Sequence, residues 1–92
     1  MKELDIQAKK DLIEVYEKFI QEGLTKNLQQ QAEKVYLTYL PSKQILHPLL
    51  YTEACGLFSL AYPGVMPVTG IFLTKDQAKE ALKKIQELDL SK

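Results

Sequence analysis

His47 and Cys55 are the residues of this chain whose side chains most often carry chemistry, and each type occurs once. A histidine that acts as a general base needs a nucleophile and an orienting carboxylate within hydrogen-bond reach, and the sequence supplies only Ser42 and Glu53 for these roles. A zinc site takes three or four ligands at recognisable spacing, which one histidine and one cysteine do not provide. There is also no phosphate-binding glycine loop and no nucleophile elbow. We therefore predict a protein that is not an enzyme and that has no metal or other cofactor.

The positions of the two residues favour structural roles for both. A residue before proline is disfavoured in the α region, so His47, which precedes Pro48, is expected at a helix entrance where it satisfies local backbone groups. Cys55 lies in an apolar helical stretch, where a free cysteine behaves as a small hydrophobe.

Glu53 is the only charged residue between positions 44 and 73. That window is otherwise a long apolar series interrupted by three prolines, whereas the segments on either side of it have the charge pattern of amphipathic helices. Two interpretations of Glu53 remain open at this stage. It marks a solvent-facing strip of a central helix, or it lies at the edge of an apolar groove and fixes the orientation of a partner.

Apolar residues recur at spacings of three and four over most of the chain, which predicts four helices. Their expected limits are residues 4–22, 26–40, 48–62 and 75–89. Gly23 is a suitable C-terminal stop, Thr25 a suitable N-cap, and Thr74 with Gln77 completes a capping-box pattern. Gly56 lies inside the third segment, and we attribute it to the close approach of another helix backbone.

The chain is long enough for one hydrophobic core, so residues 1–92 are treated as a single domain. Short connections favour antiparallel neighbours, and the predicted fold is an all-α, antiparallel four-helix bundle with a short extended or hairpin segment at 65–73. A three-helix core with a short strand pair at 65–73 is the second architecture that the pattern allows. The expected core is Leu12, Tyr16, Phe19, Val35, Tyr36, Leu50, Ala54, Leu57, Phe58, Leu82 and Ile85.

Charge and hydropathy exclude several functions. Twelve basic and twelve acidic residues cancel, without the basic stripe that nucleic-acid binding requires. Residues 48–73 are long enough to span a bilayer, but Glu53, Pro63, Gly64 and Pro67 interrupt them, so we expect no transmembrane segment. The N-terminus lacks the apolar stretch of a signal peptide, and one cysteine cannot form an internal disulfide. A cytoplasmic location is therefore expected.

Part of the sequence is similar to a known family. A proline-led apolar helix carries Leu57-Phe58 and Ala61-Tyr62, and the segment Phe72-Leu73-Thr74-Lys75-Asp76-Gln77 opens a terminal amphipathic helix. Together with Ala32-Glu33-Lys34-Val35-Tyr36-Leu37, these motifs resemble the immunity proteins of class II bacteriocins, of the enterocin A type. The resemblance implies a cytoplasmic four-helix bundle, without enzymatic activity, that protects a producing cell at its own membrane. The chain departs from this family in its neutral net charge, because the family is usually more basic.

The uncharged segment around residues 62–73 is the main indication of function, because exposed apolar patches mark interfaces. We predict a small interaction module that binds a protein partner, which includes a membrane-associated protein, or that binds a second copy of itself. The candidate binding residues are Glu53, Tyr62, Met66, Ile71 and Phe72. The alternative is a carrier of a small apolar ligand or lipid, held in a cavity between helices and walled by Tyr51, Phe58 and Phe72.

Overall fold

The computed structural model describes residues 3–64 and 73–90, and every regular element in this part of the chain is helical. The helices are α1 (Glu3–Glu22), α2 (Lys26–Tyr39), α3 (Pro48–Cys55), α4 (Phe58–Ala61) and α5 (Lys75–Glu87), with a short 3₁₀ turn at Leu40–Ser42. Helices α3 and α4 together occupy the place of the third predicted helix, so the predicted four-helix bundle is confirmed. An extended or hairpin segment was predicted at 65–73, and of these residues only Leu73 belongs to the described part of the chain.

Contacts between helices show the up-down order of the bundle. The Tyr39 hydroxyl at the end of α2 donates a hydrogen bond of 2.6 Å to Asp11 of α1, whereas Gln31, earlier in α2, accepts one from Lys18, later in α1. These two helices are therefore antiparallel. The Lys9 ammonium donates to the Leu88 carbonyl at 2.7 Å, and so the end of α5 lies beside the start of α1. Helix α1 packs most extensively on α5, and α2 on α4.

The local signals at the helix ends act as predicted. Gly23 has a φ of 76°, in the left-handed region that ends many helices. The Thr25 hydroxyl accepts a hydrogen bond from the Leu28 N–H at 3.0 Å, and Thr74 and Gln77 form the reciprocal capping box at the start of α5. Each of these contacts satisfies a backbone group that the helix itself leaves unpaired.

The third predicted helix is not continuous, and in this respect the prediction was wrong. Helix α3 ends at Cys55 and α4 begins at Phe58. At the break the Leu57 N–H donates to the Ala54 carbonyl at 3.1 Å, an i→i−3 bond that tightens the turn. Gly56 does face a close neighbour, but this neighbour is the Tyr16 hydroxyl of α1 and not a helix backbone.

Most of the predicted core is buried. Leu12, Tyr16, Leu50, Leu57 and Ile85 are fully enclosed, and Phe19, Val35 and Ala54 are nearly so. Tyr36 and Leu82 are partly buried and pack against this core. Phe58 is only partly buried, so its assignment to the core was wrong. The assignment assumed an unbroken helix over residues 48–62, whereas the chain tightens between Ala54 and Leu57, directly before Phe58.

In the part of the chain that the structure describes, no helix has both the length and the apolar composition that a membrane crossing requires.

Candidate functional site

Three aromatic rings from α2, α4 and the residue after α4 meet at the surface of the bundle. The rings of Tyr36 and Phe58 have centroids 5.7 Å apart at an angle of 66°, and those of Tyr36 and Tyr62 are 6.0 Å apart at 84°. Phe58 and Tyr62 follow each other at i and i+4, with centroids 5.2 Å apart. All three side chains are partly exposed. We refer to Tyr36, Phe58 and Tyr62 as the aromatic cluster.

Two residues of α3 extend the aromatic cluster. A hydrogen bond with the Cys55 thiol is the main influence that raises the pKa of Tyr51, and Tyr36 contributes to the same rise. Burial raises the pKa of Tyr36, with smaller contributions from Cys55 and Tyr62. Tyr51 and Cys55 are four residues apart on α3, which places them on the same side of that helix, and α3 packs on α2. Their raised pKa values keep Tyr36 and Tyr51 uncharged at neutral pH.

Apolar side chains continue the surface at the end of α2. The Leu40 N–H bonds to the Tyr36 carbonyl, which places Leu40 one helical turn beyond Tyr36 on the same side of the helix. Leu40 is 39% exposed, and its neighbour Leu37 is 50% exposed. The surface thus combines aromatic rings that carry hydroxyl groups with exposed aliphatic side chains. This is the composition found at the centres of protein interfaces.

Glu53 lies away from the aromatic cluster, in a cleft between α3 and α5. The cleft has a volume of about 310 Å³ and is lined by Tyr16, Thr52, Glu53, Gly56, Leu73, Gln77, Glu80, Ala81 and Lys84. Glu53 is half-buried, and this burial raises the pKa of its carboxyl group while the Lys84 ammonium opposes the rise. Neither sequence interpretation of Glu53 fits fully, since the residue borders a cleft whose rim is polar.

Two of the predicted binding residues, Glu53 and Tyr62, therefore lie at different places on the bundle. Tyr62 packs against the rings of Tyr36 and Phe58, whereas Glu53 faces α1 and α5. Met66, Ile71 and Phe72, the other three predicted binding residues, lie outside the described part of the chain.

His47 has the local structural role that the sequence indicates. Its backbone is extended, with φ −53° and ψ 135°, and its Nδ1 accepts a hydrogen bond from the Leu49 N–H at 3.1 Å. The backbone N–H of His47 donates to the Asp5 carboxylate at 2.9 Å, which joins the starts of α1 and α3. Within residues 3–64 and 73–90, no three His, Cys, Asp or Glu side chains are grouped so that they could hold a metal ion.

Sequence reasoning placed Tyr36 and Phe58 in the core and so missed their part in this surface. A signal was present in the i, i+4 spacing of Phe58 and Tyr62, which puts two rings on one side of a helix. The third ring could not be assigned in the same way. Tyr36 comes from a different helix, and only the packing of α2 on α4 brings it to the other two.

Comparison of the chain with protein-family models, with curated proteins and with solved structures finds no match.

Proposed function

We propose that this chain is a small, non-enzymatic protein-interaction module whose partner surface is centred on the aromatic cluster. The observation that carries the proposal is the position of three partly exposed rings within 6.0 Å of one another on α2 and α4. Aromatic side chains supply large contact areas at a low cost in conformational entropy, and they are enriched among the residues that dominate binding energy. Residues 65–72, which follow this surface in the sequence, carry no charge.

The hydroxyl groups of Tyr36 and Tyr62 add polar contacts to this surface. Tyrosine is favoured at interfaces because its ring is buried against the partner while its hydroxyl forms a hydrogen bond. A partner with an apolar face and a few hydrogen-bonding groups at its edge is therefore the best match. An apolar helix face of a second protein has this chemistry.

The carrier hypothesis receives less support from the geometry. The cleft beside Glu53, at about 310 Å³, is at the lower end of the range for small-molecule sites. Its lining includes Glu53, Glu80 and Lys84, and an apolar ligand would remove water from these groups without replacing its hydrogen bonds. Phe58, which was expected to wall an apolar cavity with Tyr51 and Phe72, packs against the Tyr36 ring.

A more specific form of the proposal follows from the resemblance to class II bacteriocin immunity proteins. In this form the chain acts in the cytoplasm and binds a membrane-associated protein of the producing cell. The helical bundle is compatible with it, and the support for the partner's identity is the sequence resemblance alone.

Two matched variants test the position of the partner surface. Leu40→Lys and Ile45→Lys each replace one exposed aliphatic side chain by a lysine, and Ile45 is 56% exposed. Leu40 lies one turn from Tyr36, whereas Ile45 lies beyond the 3₁₀ turn near the start of α3. The tagged chain is used to capture partners from the native cell, and a captured protein is purified and its affinity measured by titration calorimetry. Sedimentation equilibrium measures self-association in parallel.

We expect Leu40→Lys to weaken binding at least about tenfold, because a charge buried at an interface loses its hydration, while Ile45→Lys binds like the unmodified chain. Both variants should unfold at nearly the same temperature, since exposed substitutions rarely change stability by more than about 0.5 kcal/mol. Equal affinities for the two variants would contradict the proposed surface.

A further inference from the structure

We propose that Tyr16 is a positioning residue for the aromatic cluster. The buried hydroxyl of Tyr16 and the absence of a side chain at Gly56 together keep α3 and α4 from joining into one helix. The break between α3 and α4 then sets the direction in which the Phe58 and Tyr62 rings point. This inference deepens the proposed function, because it rests on the aromatic cluster being the partner surface and names a residue outside the surface that controls its geometry.

The helix break removes the usual hydrogen-bond donor of one backbone carbonyl. In a continuous α-helix the Glu53 carbonyl would accept a hydrogen bond from the Leu57 N–H. Here the Leu57 N–H donates to Ala54 instead, at 3.1 Å. The Tyr16 hydroxyl takes its place and donates to the Glu53 carbonyl at 2.7 Å. A contact from α1 thus satisfies the backbone group that the break exposes.

Gly56 leaves room for this hydroxyl. A Cβ atom at position 56 would lie 3.1 Å from the Tyr16 oxygen, closer than carbon and oxygen normally approach. Tyr16 is fully buried, and its hydroxyl is held by the hydrogen bond to the Glu53 carbonyl, so a shift of the hydroxyl would weaken that bond. Gly56 itself has an ordinary right-handed helical conformation, with φ −62° and ψ −19°. A side chain at position 56 would therefore force the Tyr16 hydroxyl to shift by a few tenths of an ångström, whereas the backbone angles of Gly56 are open to any residue.

The break also determines the geometry of the surface. A 3₁₀ turn advances by roughly 120° per residue, against roughly 100° in an α-helix. If the tightened turn between Ala54 and Leu57 relaxed into a regular helix, the Phe58 and Tyr62 side chains would be rotated about the helix axis from their present positions. Their rings would then lose the present contacts with Tyr36, at 5.7 and 6.0 Å.

The test compares Gly56→Ala in three backgrounds, which are the unmodified chain, Tyr16→Phe and Tyr39→Phe. Tyr39→Phe is the matched control, because it also removes the hydroxyl of a buried tyrosine, one that bonds to Asp11 and not to α3. Each protein is melted, and NMR records the nuclear Overhauser effects between the Tyr36, Phe58 and Tyr62 rings.

We expect Gly56→Ala to lower the melting temperature of the unmodified chain and of Tyr39→Phe, because the new methyl group displaces the Tyr16 hydroxyl. In Tyr16→Phe the obstacle is gone and alanine is the better helix former, so the same substitution should raise the melting temperature. The Tyr16→Phe/Gly56→Ala protein should also lose the ring-to-ring effects with Tyr36, while Tyr39→Phe alone keeps them.

Equal changes in melting temperature in all three backgrounds would overturn the inference. It would also be overturned if the double variant kept the ring contacts of the unmodified chain. Neither result depends on a partner, so the positioning role can fail while the proposed function stands. Conversely, the proposed function alone fails if the rings move as expected and the affinity for the captured partner does not change.

Discussion

The two helix pairs with the most extensive contacts, α1 with α5 and α2 with α4, differ in the kind of apolar side chain that each leaves at the surface. The pair α1–α5 buries small and aliphatic side chains almost fully, namely Ala8, Leu12, Val15, Ala78, Ala81 and Ile85. The pair α2–α4 also buries Ala32, Val35, Leu60 and Ala61, but three aromatic rings at this pair stay partly exposed. The apolar side chains that α1 and α5 leave partly exposed are aliphatic, among them Ile13, Ile20 and Leu82. The comparison indicates that the first pair stabilises the fold and the second also provides a surface for binding.

The largest effect on stability is expected from a cavity between α1 and α5. Ile85 is fully buried on α5, and Ile85→Ala should lower the free energy of unfolding by about 2–5 kcal/mol, from lost burial and from the cavity that remains. Denaturant unfolding followed by circular dichroism measures the change. A loss below about 1 kcal/mol would show that α5 packs loosely and would remove the contrast between the two pairs.

A smaller effect is expected from Phe58→Ala, although the phenyl ring is larger than the isoleucine side chain. Phe58 is only partly buried, and its edge contacts with Tyr36 and Tyr62 are worth roughly 1–2 kcal/mol in total. The same denaturant measurement, beside Ile85→Ala, compares the two pairs directly. If Phe58→Ala were the more destabilising of the two, Phe58 would belong to the core after all.

Substitutions in the uncharged segment should have still less effect on stability. We predict that replacing Met66 and Ile71 with serine changes the free energy of unfolding by less than about 0.5 kcal/mol, the usual range for surface positions. The same double variant should lose affinity for the captured partner. Thermal melts and titration calorimetry measure the two quantities. A loss of several kcal/mol would instead make these residues part of the core and would confine the partner surface to the aromatic cluster.

The smallest effect concerns the pH dependence contributed by Glu53 in the cleft of α3 and α5. Because its pKa is raised in the folded chain, its contribution to stability is fully present below its unfolded pKa of about 4.3 and is lost as the pH rises through the folded pKa. Glu53→Gln should therefore be slightly more stable than the unmodified chain at pH 7, and this advantage should disappear on acidification. Glu80→Gln, at an exposed position of the same cleft, is the control.

The features that the sequence predicted correctly are those that depend on neighbouring residues. The left-handed Gly23, the Thr25 cap and the role of His47 at the entrance of α3 each involve groups within a few positions of one another. Helical periodicity likewise located the bundle helices, because the apolar spacing records which side of each helix is buried.

The break at Gly56 and the aromatic cluster depend on contacts between distant parts of the chain. Tyr16 and Glu53 are separated by 37 positions, and nothing around Gly56 indicates that a tyrosine hydroxyl occupies the space beside it. Because the sequence did not reveal the break, the residues after it were placed on the faces of one continuous helix. This placement assigned Phe58 to the core. The signal available in the sequence was an isolated glycine within an apolar helical run. This signal located the break in the helix but did not show that a tyrosine hydroxyl lies beside it.

The central claim is that the aromatic cluster lies at the surface of the isolated chain. The most direct test measures by NMR how accessible each of the five tyrosines is to a photochemical dye, because some of them lie in the core and some at this surface. Tyr16 and Tyr39 are buried, whereas Tyr36, Tyr51 and Tyr62 are partly exposed. We predict strong dye-induced signals from Tyr36, Tyr51 and Tyr62, and none from Tyr16 and Tyr39. If Tyr36 and Tyr62 were as protected as Tyr16, the α2–α4 pair would be as closed as α1–α5, and the proposed partner surface would not exist.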